Sequence, residues 1–136
     1  MRRAHRVDDN QAAIVSAYRL AGYSVQPLAQ VGGGVPDLLV GICGVNLLVE
    51  VKDGAKAKSR RKLTSDQVEW HKKWRGGVLV VESPEDAIKQ AAEYVRLALS
   101  RQTLVVAMRQ IANITAGCGR LLHDDAAQRR EGGGMT

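Results

Sequence analysis

The 136-residue chain has no phenylalanine, and its aromatics are limited to Tyr18, Tyr23, Trp70, Trp74 and Tyr94. A core must therefore come mainly from Val, Leu, Ile and Ala, and a row of aromatic platforms for stacking unpaired bases is excluded. Cysteine is almost as scarce. Cys43 and Cys118 lie far apart without a CxxC pair, which supports neither a disulfide framework nor a zinc site, and reduced thiols are expected. His5, His71 and His123 show no ligand spacing. The longest apolar stretch, 35–51, is interrupted by Asp37 and Glu50 and falls short of the roughly 20 residues a membrane span needs. The opening MRRAHRVDDN lacks the apolar core of a signal peptide. A soluble, cytoplasmic protein with no membrane partner is expected. Gly32, Gly33 and Gly34 form a loop without the lysine and hydroxyl of a phosphate-binding P-loop, so no nucleotide cofactor is expected either.

Positive charge is in excess. Lys and Arg number 20 against 14 Asp and Glu, giving a net charge of +6 and a pI near 9.7. Such a balance points to a polyanionic partner. With 45% hydrophobic and 25% charged residues, the composition suits one globular domain with a tail.

Apolar spacing at Ile14, Val15, Tyr18 and Ala21 predicts a helix after Asp8 and Asp9, stopped by Gly22. A short strand follows over 23–28, with Pro27 marking an edge position. Residues 36–42 and 45–52 then read as a hairpin turning at Cys43-Gly44. Residues 53–62 are polar and without apolar period, a loop. Thr64 with Gln67 is a capping-box pattern opening a helix to about Arg75, closed by Gly76-Gly77. After a strand over 78–82, Ser83-Pro84-Glu85-Asp86 starts a helix to about Ser100. Residues 101–115 read as an additional helix or an extension of the previous one, and 116–136 as a flexible tail. The compact domain would then occupy 1–100. The order αβββαβα implies an α/β fold with a small mixed sheet flanked by helices.

Three residues carry the chemistry. If Cys43-Gly44 is a two-residue turn, paired positions sum to 87, and Asp37 faces Glu50. Their Cβ atoms would lie about 4.5–5.5 Å apart, an unfavourable placing for two carboxylates unless a cation or proton lies between them. Hard oxygen donors of this kind suit Mg²⁺, with Mn²⁺ able to substitute. Glu50 and Lys52 are two apart on a strand and share a face, which sets the Lys52 ammonium beside the carboxylates. There it could hold an attacking water or neutralise charge on a phosphate. The alternative is a solvent-facing Glu-Lys pair of minor energetic weight.

The run Gly34-Val35-Pro36-Asp37-Leu38-Leu39-Val40, followed by Leu48-Val49-Glu50-Val51-Lys52, resembles the core motif of the PD-(D/E)xK nuclease superfamily. It is most similar to the VRR-NUC and Holliday-junction-resolvase-like branch, often phage-encoded. The likeness continues through Leu63 to Gln67, Trp70, and Val78 to Ala87, covering about residues 9–90. It implies a restriction-endonuclease-like fold, Mg²⁺-dependent endonucleolytic hydrolysis of DNA, junction or branched substrates, a homodimer and a bacterial host cytoplasm. In such proteins Asp37 and Glu50 would bind the metal, the Val51 carbonyl would add a ligand and Lys52 would assist the water. The first-helix glutamate of these nucleases is missing here; its place falls on Asp9, Asn10 or Gln11. Asp9 could be a metal ligand or a helix N-cap, whereas Asn10 or Gln11 could only orient a metal-bound water. Gln67 is placed near the site by the likeness, with a pure capping role as the rival.

Beyond the strand of Lys52 stand Lys56, Lys58, Arg60, Arg61 and Lys62, with Asp53 the one acid. They read as a DNA-contacting cluster at the mouth of the carboxylate site, the alternative being a solvated charged face. Arg2, Arg3 and Arg6 could extend it. Trp70 and Trp74, at i and i+4, share a helix face and are expected to pack that helix on the sheet. Leu104, Val105, Met108, Ile111 and Ala112 form an apolar stripe suited to a dimer contact. A catalytically inactive nuclease-fold DNA-binding module is the competing functional reading, and a structural or host-interaction protein whose carboxylates share a proton is a third.

Overall fold

The computed structural model describes the backbone of residues 9–131 and the side chains of 10–116. Helix α1 (Asp9–Leu20) leads into three strands, β1 (Ser24–Pro27), β2 (Leu38–Ile42) and β3 (Val45–Val51). A single 3₁₀ turn (Lys58–Arg60), α2 (Ser65–Lys73), β4 (Val78–Val81) and α3 (Pro84–Glu131) complete the chain. The order αβββαβα is the expected one, and the fold is mixed α/β. The strands lie in the order β1-β2-β3-β4, antiparallel except for the parallel β3-β4 pair. Pro27 sits in the edge strand β1, where its missing N–H costs no ladder bond.

The hairpin has the register that its turn predicts. Ile42 pairs with Val45, Gly41 with Asn46 and Leu38 with Val49. Cys43 and Gly44 both take positive φ, 50° and 77°. That combination defines a turn whose twist matches the strands it joins. Alternation then separates two faces. Leu38, Val40, Ile42, Leu47, Val49 and Val51 turn inward with Ile14 and Tyr18 of α1 and Ala87, Ala91 and Val95 of α3. Burying each larger aliphatic side chain stabilises the domain by about 1.5–3 kcal/mol before entropy is counted. Tyr18 Oη donates to the Ala87 carbonyl at 3.3 Å, tying α1 to α3. Asp37, Leu48, Glu50 and Lys52 occupy the other face, over which α2 lies.

Two expectations need correction. Helical backbone runs on to Glu131 where composition suggests a flexible tail, and residues 101–115 are the continuation of α3, one of the two readings expected of them. No proline follows Pro84, and Gly117 and Gly119 cost a helix only about 1 kcal/mol each without blocking it. The chain divides into two compact units within α3, one ending at Arg96 and the other beginning at Leu97. Trp70 and Trp74 do share a face, with rings stacked 4.9 Å apart, but they do not form core: Trp74 is 47% exposed and α2 has no buried residue. Trp70 is half-buried, and the two indoles stack on each other. Among the described residues, no helix is long and apolar enough to cross a membrane.

Candidate active site

The end of the hairpin gathers the charged groups. One residue beyond the β2-β3 ladder, Asp37 Oδ2 accepts a hydrogen bond from the Val51 N–H at 2.9 Å, which fixes its carboxylate against β3. Glu50 is 1% exposed, the one fully enclosed acid among the described residues. Its Oε1 accepts from Gln67 Nε2 and meets Lys52 Nζ at 2.8 Å. Its Oε2 is closed off from solvent and has no hydrogen-bond partner. Burial and the nearby Asp37 charge push the Glu50 carboxyl above its usual range, against the opposing pull of Lys52 and Gln67.

Gln67 holds two positions at once. Its Oε1 accepts from the Thr64 N–H and from Lys52 Nζ, both at 2.9 Å, while Thr64 Oγ1 accepts from the Gln67 N–H. The two readings of this residue are therefore not rivals, since one amide closes the capping box of α2 and clamps the Glu50-Lys52 pair. Gly34 lets this happen. Its φ is +81°, and a Cβ there would stand 2.3 Å from the Asp66 carbonyl oxygen. Only glycine allows the loop to pass so close beneath the first turn of α2.

Asn10 does not reach the carboxylates. Its Nδ2 donates to the Lys52 carbonyl at 2.7 Å and to the Glu82 carbonyl at 3.0 Å, bracing the ends of β3 and β4 from α1. Gln11 is buried beside a depression formed with Val15 and Pro27, and supplies none of the hydrogen bonds that gather the site. The Asp9 side chain and Arg2, Arg3 and Arg6 lie outside the described residues. Val51 brings its backbone to Asp37 while its side chain enters the core.

The basic residues are not equivalent. Lys56 pairs with Asp53 at 3.5 Å, and Arg61 is engaged by Glu82. Lys58, Arg60 and Lys62 are exposed. A cleft of about 810 Å³ opens at the ends of β3 and β4, with Asn10, Asp53, Gly54, Glu82 and Asp86 on its walls; Asp37 and Glu50 do not line it.

Sequence reasoning passed over two residues. Glu82 fixes Arg61, a contact 21 positions apart that no local pattern announces. His71 shows no ligand spacing in the sequence, yet its Nε2 is closed off without a partner, and burial with the Lys52 charge pushes its pKa down. Its place one helical turn after Gln67, on the same face of α2, is the signal that could have found it.

No group of three or more His, Cys, Asp or Glu side chains placed to hold a metal ion exists among the described residues. What the site does offer a hard cation is Glu50 Oε2, a buried oxygen with no partner, with the Asp37 carboxylate near enough to raise the Glu50 pKa. A donor pair of this kind, completed by water, suits Mg²⁺ or Mn²⁺. Comparison with protein-family models, curated proteins and solved structures finds no match.

Proposed function

We propose that this chain is a metal-dependent DNA endonuclease of restriction-endonuclease-like architecture, related to the PD-(D/E)xK nucleases of the VRR-NUC and resolvase-like branch. The observation that carries the reading is Glu50: a fully buried carboxylate with one oxygen clamped by Lys52 and Gln67 and the other unspent, beside Asp37. A structural ion pair has no use for an enclosed, unpartnered oxygen, which costs about 1–3 kcal/mol or more for a charged group.

Asp37 and Glu50 would hold Mg²⁺, or Mn²⁺ in its place. When bound, the ion supplies charge stabilisation at the phosphorus oxygens and activates water. Lys52, oriented by Gln67 and Glu50, would hold the attacking water by donating a hydrogen bond to its oxygen and would offset negative charge on the phosphate. Gln67 keeps the ammonium from swinging to solvent. The basic segment 56–62 would draw in the DNA backbone, and the resolvase-like likeness favours branched or junction substrates. A homodimer through α3 belongs to the same proposal, supported by exposed Leu104, Met108 and Ile111.

The test is cleavage of linear, nicked, flapped and four-way-junction DNA with and without Mg²⁺ or Mn²⁺. Metal-dependent nicking is expected from the parent, and its loss with retained DNA binding from Asp37→Ala and Lys52→Ala, folding being checked by circular dichroism. Equal activity in parent and both variants would overturn the assignment. The absence of a third acid among the described side chains favours a second reading, a catalytically inactive DNA-binding module. Salt-sensitive binding without cleavage under any metal would identify it.

A further inference from the structure

Three of the five basic residues after β3 are not spread along a surface. Lys58, Arg61 and Lys62 line one cavity of about 350 Å³, with Glu82 as its fourth wall. We propose that this cavity is a discrete pocket for a single phosphate group of a nucleic-acid strand, distinct from the scissile phosphate at the carboxylates. It rests on the reading of the substrate as nucleic acid.

Arg61 gives the pocket its specificity. Its side chain is 21% exposed and is held by Glu82 through Nη1, while Nε has no partner at all. A guanidinium whose rotamer is already fixed loses little further entropy on meeting an anion, and its planar fork matches phosphate oxygens. One acid against three cations leaves the cavity net positive. Glu82 therefore serves as a brace that orients Arg61 without cancelling the site.

The brace is itself anchored. The Glu82 N–H donates to Asp86 Oδ2 at 3.0 Å, and its carbonyl accepts from Asn10 Nδ2 at 3.0 Å and from the Gly54 N–H at 3.2 Å. A Cβ at Gly54 would stand 2.8 Å from that carbonyl oxygen, so the chain after Lys52 is pressed directly onto Glu82. Asn10 also binds the Lys52 carbonyl, and the Lys52 N–H donates to the Val81 carbonyl. The pocket and the strand of Lys52 thus share one hydrogen-bonded frame, which sets a fixed spacing between the phosphate held in the pocket and the one presented to the carboxylates. Lys56, paired with Asp53, and Arg60 lie outside the cavity.

The source of the phosphate separates by experiment. Binding is measured without divalent metal, in EDTA, so that failure of cleavage leaves the result intact. The probes are inorganic phosphate and short single-stranded oligonucleotides bearing a 5′-phosphate, a 3′-phosphate or neither. Inorganic phosphate should move the Arg61 Nε resonance in the full-length protein. Lys58→Ala with Lys62→Ala, both exposed, should weaken oligonucleotide binding by about tenfold or more, as should Arg61→Ala. Lys56→Ala and Arg60→Ala should each cost less than about threefold. A preference for one phosphorylated end assigns the pocket to a strand terminus, and equal binding of all three oligonucleotides with the same variant pattern assigns it to a backbone phosphate. The proposal is overturned if the loss is spread evenly over all five basic positions, or if phosphate leaves Arg61 unmoved.

Discussion

Replacing Gly34 by alanine tests how the glycine loop and α2 build the site. At φ +81° an alanine pays the left-handed penalty, roughly 1–2 kcal/mol. Its Cβ would also meet the Asp66 carbonyl oxygen at 2.3 Å and the Gln67 nitrogen at 2.9 Å. Both are backbone atoms of a capped helix start and cannot swing aside, so overpacking adds a further 1–3 kcal/mol or so. The total is about 2–5 kcal/mol. Gly32 supplies the control, because it has φ +73° and nothing within 4 Å of a Cβ, which leaves only the conformational penalty. Urea unfolding of both variants measures the difference directly. With a slope of about 1–3 kcal/mol per molar, Gly34→Ala should unfold on the order of 1 M urea earlier than Gly32→Ala. Cleavage should fall further in Gly34→Ala as well, since the displaced atoms carry Gln67. Coincident midpoints for the two variants would refute the close approach, and with it the account of how Gln67 is placed.

Other outcomes follow from the same geometry. Mg²⁺ at 100 times its dissociation constant should stabilise the parent by about 2.7 kcal/mol in thermal unfolding, and Glu50→Gln should abolish that gain. The raised Glu50 pKa means the folded, metal-free protein takes up a proton more readily than the unfolded chain, so this group's contribution to stability falls as pH rises from the ordinary carboxylate value through the raised one. Gln67→Glu, which sets a second carboxylate against Glu50, should steepen that fall; a variant as stable at pH 8 as at pH 5, relative to the parent, would count against the contact. Tyr18→Phe should cost about 0.5–1.5 kcal/mol through loss of the bond to Ala87, read by chemical denaturation. Cys43→Asn, placing a residue better suited to positive φ at the turn, should raise stability by roughly 0.5–1 kcal/mol.

Much of the carboxylate pair was legible in the chain because it depends on local rules. A two-residue turn and the two-residue period of a strand fix which positions face each other, and the ladder from Ile42-Val45 to Leu38-Val49 follows that count. The capping box at Thr64 and the edge proline at Pro27 are equally local. Tertiary structure alone decided the rest. A spacing of i and i+4 says that Trp70 and Trp74 share a face, but whether that face is buried depends on how closely α2 approaches the sheet, and here Trp74 is left 47% exposed. The amide of Asn10 could not be assigned from sequence because its partners, the carbonyls of Lys52 and Glu82, lie 42 and 72 positions away. Gln67 clamps Glu50 and Lys52, and Glu82 orients Arg61, for the same reason. Hydrogen bonds within a few residues are set by backbone geometry that each residue type favours, whereas those across the fold exist only once α1 and α2 have packed on opposite faces of one sheet.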